Sequence, residues 1–217
     1  MISLPLDIWF EIGAFVVAFL CYPSIKDKPL RWFVLYLFFI VVVELMGYTD
    51  RINNTWLYIF TIPVEYFFFS FIFYHEYCNK VFKAIALTLL FIIPIATVFN
   101  FVILHSKYGI SDNEIINWIL IGGSSMMIIL SCLYFIDLFQ REEEVHLLTN
   151  PVFWIATGVF FFNIGELPYD LLRHYIIKHR SDQRSKLFIA IHKILNYVLY
   201  TFVSIGLLCS KLQRRKT

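Results

Sequence analysis

Long apolar runs separated by short charged connections organise the chain. Seven runs are long enough, or within a turn of it, to cross about 30 Å of hydrocarbon at about 20 residues per helix. They extend from Leu6 to Tyr22, Trp32 to Tyr48, Trp56 to Tyr74, Ala84 to Leu104, Ile115 to Phe139, Pro151 to Leu172 and Leu187 to Cys209. Hydrocarbon cannot hydrogen-bond a peptide group, so each run is expected as an α-helix. All five tryptophans (Trp9, Trp32, Trp56, Trp118 and Trp154) fall near the start of a run. Indole prefers the headgroup level, which supports these boundaries independently. The connections carry the charge: Lys26-Asp27-Lys28, Asp50-Arg51, Lys80 to Lys83, Arg141-Glu142-Glu143-Glu144, and Arg173 to Lys186. The Glu142–Glu144 run reads as a solvated loop. The pattern predicts an all-α, polytopic bundle of seven transmembrane helices, a single domain over residues 1–217.

Composition agrees with the pattern. The 217 residues are 59% hydrophobic and 16% charged, against about 45–50% and about 25% in a soluble domain. The excess covers the whole length, so the bilayer is the solvent of the entire domain. A net charge of +2 with no basic stripe excludes nucleic acid as a partner. The first run has no basic residues before it and no small-residue cleavage site after it, so it is expected to stay as a helix. With the N-terminus outside, ten Lys and Arg fall on the inner side and seven on the outer. That bias favours the N-terminus outside and the C-terminus in the cytoplasm. Cys21, Cys78, Cys132 and Cys209 then lie toward the reducing side, which suits free thiols.

The order of residues suggests an internal repeat. Trp9-Phe10-Glu11-Ile12-Gly13 in the first run parallels Trp118-Ile119-Leu120-Ile121-Gly122 in the fifth. Glu44-Leu45 stands twelve residues after Trp32, and Glu166-Leu167 twelve after Trp154. Glu65 to Phe71 in the third run matches Asn196 to Phe202 in the seventh. The expectation is a 3+1+3 parallel repeat: repeat 1 over about 6–74, a linker helix over about 84–104, and repeat 2 over about 115–209, as in some transporters.

Polar residues inside the runs carry the candidate chemistry. They are Glu11, Glu44, Glu65, Asn163, Glu166, His192, Lys193 and Asn196. At a rise of about 1.5 Å per residue all lie about 6 to 15 Å from one membrane face. An ionised carboxylate at the bilayer centre costs about 2.5–3.5 kcal/mol on insertion scales. Asn163, Glu166 and Asp170 share one helix face, as do His192 and Asn196. Convergence on one pocket open toward the N-terminal side is the economical solution. The expected ligand-binding set is Glu65, His192, Asn196, Glu166, Asn163, Glu44 and Lys193.

Plainer readings stand beside that one. Glu11 and Glu44 lie near helix ends and can reach headgroups. Glu166 with Lys193 can be an ion pair that only fixes packing, and His192 a satisfied core residue. Gly122-Gly123-Ser124-Ser125 suits close helix approach. Pro63, Pro94 and Pro168 are expected to kink helices, and Pro63 frees the carbonyl of residue 59. Glu44, Glu65, Glu166 and His192 form no HxxxH or ExxH pair among themselves, so no metal site and no cofactor are expected. Ser124 and Ser125 lack the context of an activated nucleophile.

The residues Pro63-Val64-Glu65-Tyr66-Phe67-Phe68-Phe69, Phe153-Trp154, Gly158, Gly165-Glu166-Leu167-Pro168-Tyr169 and the helix from His192 to Asn196 resemble an uncharacterised family of bacterial seven-helix membrane proteins. That resemblance implies fold and a place in the bacterial inner (plasma) membrane. The Pro63, Glu65, Phe68 and Phe69 pattern is also similar to a segment of the membrane carotenoid and terpenoid cyclases, where the glutamate resembles a general acid. Those cyclases carry a second acid directly after it; this chain has Tyr66.

Three functions follow. A binding or sensing module would hold a small molecule or lipid in the pocket and contact a cytosolic protein partner through its inner loops and tail. A membrane enzyme on an isoprenoid or lipid substrate would use Glu65 as acid, with Phe67, Phe68 and Phe69 lining the cavity. A small-solute transporter would place its site between the repeats. The first is the expected function, and the lipid bilayer is a partner in each.

Overall fold

The computed structural model describes residues 5–26, 28–49, 55–99, 112–141, 147–178 and 186–214. Seven helices account for most of them: α1 (Leu6–Ile25), α2 (Trp32–Thr49), α3 (Thr55–Glu76), α4 (Lys80–Phe99), α5 (Asp112–Phe139), α6 (Pro151–Lys178) and α7 (Lys186–Arg214). Short 3₁₀ turns, Pro29–Arg31 and Leu147–Thr149, lead into α2 and α6. Each apolar run coincides with one helix. Among the described residues six helices are long and apolar enough to cross a membrane. The chain is therefore an integral membrane protein by length and composition of its helices.

Several charged connections turn out to be helical. Lys80 and Lys83, expected in a loop, form the first turn of α4. The reason is capping: helix N-termini leave backbone N–H groups without partners. Asn79 Oδ1 accepts from Val81 N at 2.8 Å. Asp137 of α5 accepts from Asn79 N at 2.8 Å and from Cys78 N at 3.0 Å. Arg141 completes the staple, donating to Asp137 at 2.9 Å and to the Glu76 carbonyl at 2.8 Å. Likewise α6 runs on through Arg173 to Lys178 and α7 to Arg214. Residues 100–104 of the expected fourth helix and the Glu142–Glu144 run lie outside the described residues.

The helices pack as a ring. Going round it, α1 touches α2, α2 touches α3, α3 touches α5, α5 touches α6, α6 touches α7, and α7 returns to α1. Helix α4 stands outside the ring against α3 and α5. Aromatic pairs mark the joints: Phe10 with Tyr197 at 4.7 Å, Tyr36 stacked on Phe68 at 4.2 Å, Phe73 with Tyr134 at 5.9 Å, and Trp154 with Phe202 at 5.8 Å. Outward positions such as Phe19, Leu35, Phe91, Ile129 and Ile194 stay exposed and apolar, as a lipid-facing surface requires. Trp9, Trp32 and Trp118 are exposed near helix starts, as expected. Trp154 instead turns back, its indole N–H donating to the Leu148 carbonyl at 2.9 Å.

Lipid tails are as apolar as leucine, so close van der Waals fit must hold such helices together. Glycines permit it, as two of them show. A Cβ on Gly123 of α5 would overlap the Tyr66 ring of α3, and one on Gly158 of α6 would press on Phe202 and the Leu199 carbonyl of α7. Gly122, beside Gly123, faces open space. Gly123→Val is expected to lower stability by about 1–3 kcal/mol through overpacking, while Gly122→Val leaves it within about 0.5 kcal/mol. The unfolding midpoints of the two variants in detergent measure the contrast, and equal midpoints would refute this account of the α3–α5 joint.

Candidate functional site

The side chains that matter sit on inward faces set by helical periodicity. On α3, Thr61, Glu65, Phe68, Phe69 and Ile72 recur at intervals of three and four, with Thr61, Phe68, Phe69 and Ile72 buried. Phe60, Val64 and Phe67 lie on the opposite face and are exposed. Phe67 is thus removed from the expected cavity lining, because two residues of helix carry it about 200° from Glu65. Thr61 bends its hydroxyl back to the Leu57 carbonyl at 2.8 Å. Pro63 within α3 supplies no N–H to the Ile59 carbonyl.

Helix α6 presents a buried stripe of Val159, Asn163, Glu166 and Asp170. Gly165 receives Leu195 of α7, which brings the two helices close at this level. There His192 Nδ1 meets Glu166 Oε1 at 2.9 Å, with Phe162 edge-on to the imidazole at 5.8 Å. Of the alternatives for Lys193, the ion pair with Glu166 is not formed. Lys193 is one residue, about 100°, further round α7 and faces α1, where its Nζ is 3.8 Å from Asp7 Oδ1. Asn163 donates to the Val159 carbonyl at 2.7 Å, leaving its own Oδ1 without a partner. Asn196 follows His192 by one turn and is half-buried.

Glu11 does not reach for headgroups. It is 3% exposed, and its Oε2 has no hydrogen-bond partner. Glu44 of α2 is half-buried. The four glutamates lie within electrostatic reach: Glu11 of Glu44 and Glu65, and Glu65 of Glu44, Glu166 and His192. Residues from α1, α2, α3, α6 and α7 are thereby drawn to one region, and α4 contributes none of them. Glu65, Glu44, Glu166 and His192 lie within electrostatic reach of one another, Asn163 stands one turn from Glu166 on the buried stripe of α6, and Lys193 lies toward α1. Asn196 shares the inward face of His192.

Three tyrosines complete the region. Tyr36 is buried against Phe68, with its hydroxyl turned to the Glu65 carboxyl. The two are near enough to act on one another's charge, yet the hydroxyl closes no hydrogen bond of good geometry. Tyr200 of α7 is buried facing Glu11, Glu65 and Glu44. Tyr66 reaches across to α5, its hydroxyl 3.2 Å from Ser124 Oγ and 3.5 Å from the Leu120 carbonyl. Sequence reasoning missed Tyr36 and Tyr200, because tyrosine in an apolar run signals an interface as readily as an interior. It also missed Asp137, an acid close to the end of its run that turns inward to cap α4.

Among the described residues no three His, Cys, Asp or Glu side chains are grouped closely enough to hold a metal ion. The four cysteines are free, with Cys21 and Cys209 buried. No protein family, curated protein or solved structure matches the chain.

His192 to Glu166 is a direct polar bond between α6 and α7 at this site. A double-mutant cycle with His192→Ala and Glu166→Gln is expected to return a coupling of about 1 kcal/mol, near the upper part of the range for polar contacts in membranes. Unfolding in mixed micelles measures it. Additive losses would mean that the pair does not hold α6 to α7.

Proposed function

We propose that this chain is a multi-pass membrane protein that binds or senses a small molecule or lipid in a polar pocket between two three-helix units. The observation that carries the reading is the gathering of Glu65 with Glu166, His192, Glu44 and Glu11, contributed by five helices. Hydrocarbon gives such groups no partner, and the protein supplies only part of what they need. Glu11 Oε2 and Asn163 Oδ1 are buried without hydrogen bonds. A finished polar core satisfies nearly all such atoms. Open ones on facing helices are what a ligand or water would complete. His192 keeps 40% of its side-chain surface reachable while bonded to Glu166, as a residue at the mouth of such a pocket would. The cluster sits toward the end where α1 and α7 begin, so the pocket would open on the N-terminal side.

The ring order supports the 3+1+3 arrangement. The first helix of one unit, α1, touches the last of the other, α7, while α3 touches α5. That reciprocal pairing is what a two-fold relation between two like-oriented units produces. Helix α4 stands outside as the link. On this reading all seven helices cross the membrane, α3 shielded by its neighbours. The bias of Lys and Arg supports the N-terminus outside and the C-terminus in the cytoplasm, in a bacterial inner membrane. The basic residues near Lys80, Lys83 and the C-terminus would meet a cytosolic partner.

A second reading, a membrane enzyme with Glu65 as general acid, is favoured by the aromatic wall of Phe33, Tyr36 and Phe68 beside it. Aromatic faces stabilise cations. Incubation with prenyl lipids and mass spectrometry separates the two readings, since turnover would require the enzyme.

The pocket itself is tested by thiol accessibility, because alkylation needs a thiolate and hence water. In a variant without native cysteines, Asn196→Cys is expected to react with a membrane-impermeant maleimide from the N-terminal side about 10-fold faster or more than the lipid-facing Ile194→Cys. Equal rates, or faster labelling at position 194, would contradict a water-filled pocket.

A further inference from the structure

We propose that the outer face of α3, in the cleft between α2 and α4, is a docking surface for an anionic phospholipid, with the lipid phosphate between Lys28 and Lys83. The inference does not depend on the polar pocket, which the opposite, inward face of α3 borders. Its first support is the shape of the ring. Helix α4 packs outside it against α3 and α5, and α2 packs on α3 from the other side. The part of α3 left facing lipid is therefore a stripe between α2 and α4. Phe60, Val64, Phe67, Phe71 and Tyr74 recur along it at intervals of three and four, the first three exposed and the other two half-buried. At about 1.5 Å per residue, Val64 to Tyr74 spans about 15 Å, half of about 30 Å of hydrocarbon. The stripe is one leaflet deep, which is the reach of a phospholipid's acyl chains.

The second support is charge, at the end of that stripe where α3 finishes and α4 begins. Lys83 of α4 turns back along it, its Nζ 5.8 Å from the centre of the Tyr74 ring. Lys28 stands on the α2 side, at the entry to the Pro29–Arg31 turn that packs on α3. Both lie within electrostatic reach of Glu76, the last residue of α3, and so flank the same helix end. Arg141, also near Glu76, is taken up by Asp137 and by the Glu76 carbonyl. Among the described residues Lys28 and Lys83 thus face one acid, Glu76, and the excess of positive charge stands whether that acid is ionised or neutral. Arg31 adds to it, its guanidinium 5.1 Å over the exposed Trp32 ring, and indole marks the headgroup level. A phosphodiester is a strong acceptor for such donors. A zwitterionic headgroup would bring its own ammonium among these cations; an anionic headgroup does not.

Two lipids with the same acyl chains and different headgroup charge test the inference: dioleoylphosphatidylglycerol and dioleoylphosphatidylcholine. The full chain is purified in detergent and mixed with equal amounts of both, and the retained lipid is counted by native mass spectrometry. The anionic lipid is expected to be retained about 10-fold over the zwitterionic one. Lys28→Gln combined with Lys83→Gln is expected to bring that preference within about 2-fold. Lys28→Arg combined with Lys83→Arg keeps it, because the charge remains. Lys211→Gln, exposed at the same end of the bundle but on α7 beside Cys21 of α1, is expected to leave the preference unchanged. Equal retention of the two lipids by the natural chain would overturn the inference. So would an undiminished preference in the glutamine variant, or an equal loss in Lys211→Gln, which would assign the preference to the basic rim as a whole. The polar pocket stands or falls separately, on the labelling of Asn196→Cys.

Discussion

A carboxyl group cannot face acyl chains without heavy cost, and four glutamates placed within apolar helices must therefore turn away from lipid. That constraint orders the bundle more strongly than apolar packing does. Lipid and protein interior are equally apolar, so a Leu or Phe gains little by choosing one over the other. Glu11, Glu44, Glu65 and Glu166 have no such freedom. Helices α1, α2, α3 and α6 must present the faces that carry them inward, and α7 must bring His192 to Glu166. Helix α4 carries no acid or amide in its described span and is the one left outside the ring.

Fit between the helices follows from that rotation. Once α3 is turned to aim Glu65 inward, Tyr66 points at α5, and Gly123 there leaves room for its ring. Ser124 then receives the Tyr66 hydroxyl. Once α6 is turned to bury Glu166, Gly158 and Gly165 lie against α7. At the opposite end of the bundle Asp137 and Arg141 tie the α3–α4 turn to α5. Glu11 and His192 thus lie toward the end of the bundle where α1 and α7 begin, with the Asp137–Arg141 tie at the other end.

Helix positions were legible in the sequence, because hydrocarbon thickness and backbone hydrogen bonding dictate them. The inward faces of α3 and α6 were legible too, since one acid per face suffices to orient a helix. The choice of neighbour was not. Lys193 and His192 are adjacent in sequence, yet 100° of rotation sends one to Asp7 and the other to Glu166. Nor could periodicity place α4, since a helix apolar on every side carries no signal for which side meets lipid; the outward turn of Phe67, by contrast, follows from its offset of about 200° from Glu65. Glu11, near a helix end, could equally have reached headgroups; the contact of α1 with α7 is what encloses it.

That contact closes the ring, and with it the claim that the acids share one interior. It is tested most directly by oxidative cross-linking of Phe10→Cys with Tyr197→Cys in membranes, in a chain without its native cysteines. The rings at these positions are 4.7 Å apart, so the first and last helices should join efficiently, while Phe19→Cys on the lipid face should not join to position 197. Absence of the 10–197 link in the folded protein would mean an open ring, with Glu11 facing lipid and the shared chamber lost.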